Sequence, residues 1–152
     1  MSTLVFPSLV RSQVLEQHVE LRALLERALV EAGAVGSASG DLDRDRLRTT
    51  ALSLCERFEA HLAFEEEALK PVFAVLDAWG PERVRDLETE HARQRQALDA
   101  LMGSFHCAGD IQQLALALRE LAADLLADMD EEEQGCLRAS LMSAGHLTIE
   151  RR

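Results

Sequence analysis

The chain reads as an all-α protein, an up-down-up-down four-helix bundle. Apolar residues recur at steps of three and four along four long segments. No alternating run competes with them as a strand. The links between segments are short and carry glycine, proline or a capping aspartate. Amphipathic helices joined this way pack antiparallel to their neighbours.

The first segment runs from about Ser8 to Ala32, with Val14, His18, Leu21, Leu25, Ala28 and Leu29 on one face. Pro7 stands just ahead of it, where proline is tolerated. Residues 32–41, AGAVGSASGD, are small and glycine-rich and form a flexible link, not a domain boundary, since neither side could fold alone. The second helix begins near Asp41 or Asp43, acidic residues that suit a helix N-terminus. Its stripe is Leu47, Ala51, Leu54, Phe58, His61, Glu65, Leu69 and Val72, and it ends or kinks at Pro71. The apolar connector VFAVLDAWG follows, with Trp79 expected as a lid over one end of the bundle. Gly80-Pro81 starts the third helix, which turns Val84, Leu87, His91, Leu98, Leu101 and Phe105 inward. Asp110 caps the fourth. That stripe runs Leu114, Leu118, Leu121, Leu125, Asp128, Glu132, Gly135 or Cys136, and Ala139. Gly145 closes the helix and leaves an irregular tail from about residue 143, so residues 1–152 are expected to form one domain.

A chain of 152 residues with 47% hydrophobic content can bury a sizeable core. No apolar run approaches membrane-span length. The N-terminus lacks a basic segment followed by an apolar stretch. The three cysteines, Cys55, Cys107 and Cys136, are odd in number and widely spaced, which speaks for reduced thiols and a cytoplasmic protein. A net charge of −11, with a single lysine, disfavours nucleic acid and anionic membrane as partners. The absence of tyrosine excludes tyrosyl-radical chemistry.

Each stripe is apolar except at one level, and there every helix offers metal-ligand side chains: His18, then His61 and Glu65, then His91, then Asp128 and Glu132. Singly, each has an ordinary explanation. A lone inward histidine is usually a hydrogen-bonded core residue, and Glu66, Glu67, Asp130, Glu131 and Glu133 belong to acidic runs that favour solvent. Together, three inward carboxylates would each face several kcal/mol of desolvation, against roughly 5–15 kcal/mol for a whole domain. A bound cation removes that conflict, and mixed imidazole and carboxylate donors suit iron, manganese or zinc.

This order of residues resembles the hemerythrin family, specifically its HHE cation-binding branch. The likeness is closest at HVELRALLE (18–26), HLAFEEEALKP (61–71) and ETEHARQRQAL (88–98), and extends over residues 13–137. The resemblance implies a non-haem di-iron centre with bridging carboxylates, in which His18, His61, Glu65 and His91 match family ligand positions. Two positions depart from the pattern. Asp128 stands where the family carries a histidine four residues before the glutamate, here Glu132, and Arg95 stands where oxygen carriers have a second histidine. Carboxylate in place of imidazole makes the site harder and favours ferric iron, hence sensing or oxidation over reversible carriage. Glu133 is a reserve candidate for the bridging role.

The expected function is binding or sensing of dioxygen, peroxide, nitric oxide or iron, more a binding protein than an enzyme. The alternatives are a ferroxidase or peroxide-consuming enzyme, and a metal-free helical interaction module. The tail HLTIERR also loosely resembles the peptides that direct cargo into encapsulin shells. A ferritin-like di-iron fold fits less well, because Glu-x-x-His occurs once, at Glu88 to His91. His106 and His146 are expected in solvent.

Overall fold

A computed structural model describes residues 2–107, 109–143 and 145–150. Four long helices, α1 (Pro7–Gly33), α2 (Asp41–Phe64), α4 (Gly80–His106) and α5 (Ile111–Gln134), form an up-down-up-down bundle with a short α3 (Lys70–Leu76) between α2 and α4. In the ring so closed, α1 packs on α2 and α5, and α4 on α2 and α5. No helix among the described residues is long and apolar enough to cross a membrane.

The local starts follow the expected chemistry. Pro7 occupies the first turn of α1, where its missing N–H costs nothing. Asp110 caps α5 by accepting the Gln112 amide at 3.1 Å. Gly80 is needed for close approach rather than flexibility. A Cβ there would stand 2.6 Å from the Phe73 carbonyl oxygen and 2.7 Å from that of Ala74, where α3 abuts the start of α4.

Pro71 neither ends nor breaks the second helical run. The chain winds through a π-helical stretch, Glu65–Leu69, and continues directly into α3. Proline lacks an amide and crowds the carbonyl four residues back, and the wider turn just ahead of it absorbs the misfit. The expected connector is therefore largely helix, and its buried members are Val72 and Phe73. Trp79 is no lid: it is 63% exposed, held at the outer corner of a turn where Asp77 accepts its amide at 2.9 Å and also pairs with Arg83.

The C-terminal expectations also change. Helix α5 stops at Gln134 instead of running to Gly145. Beyond Gly135 the chain turns so that Leu137 and Met142 are buried, and Arg11 Nε donates to the Leu137 carbonyl at 2.6 Å. The tail is not irregular. Leu147–Glu150 (β2) pairs antiparallel with Ser2–Val5 (β1), Ser2 opposite Glu150 and Val5 opposite Leu147. Val5, Leu147 and Ile149 pack partly buried against the nearby core, which gives these residues a structural use other than a free targeting peptide.

The core falls into two apolar clusters. One takes in Leu21, Leu25, Leu54, Phe58, Leu98, Leu118, Leu125 and Met129; the other Val10, Val14, Leu69, Val72, Phe73, Leu87, Leu137 and Met142. On every long helix, the polar inward residue lies in sequence between members of the two clusters. His18 follows Val14 and precedes Leu21; Glu132 lies between Met129 and Leu137. The bundle thus carries one polar layer between two dry ones.

Candidate metal centre

Four helical elements deliver the four converging donors of the polar layer. His18 comes from the middle of α1, His61 from the last turn of α2, Glu65 from the π-helical stretch, and Glu132 from the last turn of α5. One donor atom from each lies within 4.8 Å of all the others. His61 Nε2 is 3.2 Å from Glu65 Oε1, and His18 Nε2 is 3.6 Å from Glu132 Oε2. His91, from α4, reaches the other oxygen of Glu65, Nε2 to Oε2 at 2.9 Å. The backbones of His18, His61, Glu65 and His91 are locked in helix, and all four side chains are buried.

Among the described residues, three buried side-chain atoms have no hydrogen-bond partner: His18 Nε2, Glu65 Oε1 and Glu132 Oε1. All three belong to the same group of four. A buried polar atom left unpaired costs about 1–3 kcal/mol, and more when charged. Their donor types, imidazole nitrogen and carboxylate oxygen, are those of a divalent or trivalent metal site, so the residues fit a cation.

Neighbouring side chains hold the rings. Glu133 Oε1 lies 2.8 Å from His18 Nδ1, Gln17 Oε1 lies 2.8 Å from His61 Nδ1, and Glu66 Oε1 lies 3.0 Å from His91 Nδ1. At His18 and His61, a proton on Nδ1 donated to Glu133 and Gln17 leaves the Nε2 lone pair facing the centre, whereas His91 has Glu66 on one nitrogen and Glu65 on the other. Glu133 is in turn fixed by Arg22 at 2.9 Å. A pattern emerges at both acidic stretches: one glutamate points in, and the next clamps a histidine of another helix. Glu65 is followed by Glu66, which holds His91, and Glu132 by Glu133, which holds His18. Sequence reasoning assigned Glu66 to solvent and passed over Gln17. The clue was there in the paired glutamates and in Gln17 adjoining His18, although spacing alone could not show which neighbouring helix each one meets.

Electrostatics divide the two inward carboxylates. Burial, then the nearby Glu65, push the Glu132 carboxyl well above the ordinary carboxylate value. Burial also works against an ionised Glu65, yet the adjoining His61 and His91 outweigh it and hold that carboxyl low. The two carboxyls are thus pushed in opposite directions, Glu65 toward the anion and Glu132 toward the neutral acid. Burial lowers the His18 imidazole despite Glu133. In His91 burial is overcome by Glu65 and Glu66, and the pKa rises.

Asp128 does not join the four. Its carboxylate pairs with Arg93 and accepts from Gln94 Nε2 at 3.2 Å, while Met129 fills the buried slot on that turn of α5. Arg95 turns away from the centre to Glu59, at 3.0 Å, and to Glu66. His106 and His146 are exposed, as expected. A cavity of about 400 Å³ reaches the layer at His61, Glu65, His91 and Glu132. Phe58, Phe73, Leu87 and Met129 form its apolar wall, and the exposed Asp86 and Glu131 lie on its outer side. It has room for a small molecule beside the donors.

No curated protein and no solved structure matches this chain. The sequence profile of the hemerythrin HHE cation binding domain does match, over residues 10–139, a span that includes every polar residue described above at the centre. The chain belongs to the hemerythrin HHE cation-binding family.

Proposed function

We propose that the protein binds a metal cation among His18, His61, Glu65 and Glu132, with iron the expected metal, and that the adjoining cavity admits a small ligand such as dioxygen, peroxide or nitric oxide. The observation that carries this reading is the convergence of three unpartnered buried atoms, His18 Nε2, Glu65 Oε1 and Glu132 Oε1, in one layer. Iron held there would supply a change of oxidation state and an affinity for a small ligand.

The chain's own residues do the rest. His18 and His61 offer Nε2 to the cation, aimed by Glu133 and Gln17. Glu65 and Glu132 would offset its charge with their carboxylates. Phe58 and Met129 limit water on the cavity side. The apolar walls suit a neutral diatomic or peroxide better than a large polar substrate.

The test is metal addition to chelator-stripped protein. Ferrous iron added without air should raise the melting temperature of the wild type and leave His61→Ala unmoved. Wild-type protein that takes up no stoichiometric metal and melts unchanged would rule the reading out. Repeated turnover of ferrous iron in air would move the protein to the enzymatic alternative, and a single turnover supports binding or sensing.

A further inference from the structure

Resting on that metal-binding proposal, we infer that each chain holds one cation, not the pair that family resemblance implies. The four converging donors are two imidazoles and two carboxylates. Two carboxylates carry two negative charges when ionised, so one dication neutralises the layer. A second dication would leave it doubly positive between two apolar clusters, an uncompensated buried charge of the kind proteins avoid.

The neighbouring side chains point the same way. A second cation would have to share Glu65 and lie toward His91, on the α4 and α5 side. There, both nitrogens of His91 are already engaged, Nε2 with Glu65 at 2.9 Å and Nδ1 with Glu66 at 3.0 Å. The next inward position of α4 is Gln94, 6% exposed, whose amide nitrogen donates toward Asp128 at 3.2 Å and Glu90 at 3.4 Å. That amide nitrogen is thus spent on these two carboxylates. Asp128 and Glu90 are committed to the Arg93 guanidinium, and Arg95 sits behind Glu66. The carboxylates nearest a second site are thus already paired with arginines, Asp128 and Glu90 with Arg93 and Glu66 with Arg95, and Gln94 bonds to the first two. Gln94 is a positioning residue here: it holds Asp128 on the arginine side.

Metal content decides it. Stripped protein is loaded with excess ferrous iron, and separately with manganese(II), desalted without air, and metal and protein are quantified. The expected ratio is one metal per chain in the wild type, still one in His91→Ala, and none in His18→Ala. The manganese-loaded wild type should give the six-line paramagnetic resonance spectrum of an isolated ion, a readout independent of whether any variant folds. Two metals per chain with an exchange-coupled spectrum would overturn the inference and leave the metal-binding proposal standing. No bound metal at all would overturn both. Loss of the single metal in a folded His91→Ala protein would overturn the placement of His91 outside that one site.

Discussion

Replacing Glu132 with glutamine is expected to shift the stability of stripped and metal-loaded protein in opposite directions. Donor atoms of Glu65 and Glu132 lie within 4.8 Å of each other. Two like unit charges at that distance repel by about 3.5 kcal/mol at an effective dielectric constant of about 20. Glu132 keeps 19% exposure, and holding a proton already relieves part of the repulsion. Glutamine should therefore recover about half, ~2 kcal/mol, and raise the stripped protein's Tm by roughly 4–8 °C. With metal the sign reverses. A ligand that binds only the folded state stabilises it by about 4 kcal/mol at a thousand times its Kd, and Glu132→Gln forfeits most of this by removing an anionic donor. Calorimetry of both proteins, with chelator and with excess ferrous iron, gives the four melting temperatures needed. A stripped variant that melts below the stripped wild type, or that keeps the full metal-induced rise, would refute the reasoning.

The same pair carries a pH signature. Burial and Glu65 make the folded protein hold the Glu132 proton to higher pH than the unfolded chain, whose ordinary value is about 4.5. That contribution is complete below the unfolded value and is lost as pH climbs through the raised folded value. Stripped wild type should therefore fall further behind stripped Glu132→Gln as pH rises from 4.5 toward neutrality.

Gln17→Ala and Glu133→Ala each leave the four donors in place but free a ring, of His61 or His18. Metal affinity measured against a competing chelator should fall about 10–100-fold, and unchanged affinity would mean the rings need no such hold. Gly80→Ala should lower Tm by several degrees, because overpacking of this kind costs about 1–3 kcal/mol; an unchanged melt would show that α3 and α4 can separate freely. The exposed Cys107 should be alkylated readily at pH 8. Burial pushes Cys55 up to about 11 and Cys136 up to about 12, so these two should label only on denaturation, as mass spectrometry of the intact protein would reveal.

The helix faces were legible because burial and periodicity say the same thing. Leu47, Ala51, Leu54, Phe58, His61, Glu65, Leu69 and Val72 are all buried, and the steps of three and four that predicted this are a property of the α-helix itself. The polar layer was legible for a related reason, since a histidine or glutamate on an apolar stripe has no cheap place to go. What escaped were contacts fixed by tertiary packing. Asp128 has the right spacing to join Glu132, yet Arg93 and Gln94 of the neighbouring helix capture it. Pro71 carries a helix-ending signal, but the wider turn before it takes up the strain. Strands β1 and β2 have only four residues each, too few for an alternating pattern to stand out. Their partners are at opposite ends of the chain, where local patterning has no reach.

The pairing of Ser2 with Glu150 makes the folded chain almost a closed ring. A short bridge between those ends would span little distance, and the cut could be moved to the largely exposed loop at residues 34–40. A permuted chain opened there would keep all four long helices whole and in the same neighbourly order. It would also separate two roles that the natural order entangles, since the seam that now fastens the ends would become an ordinary hairpin, and its share in holding the bundle could be weighed by itself.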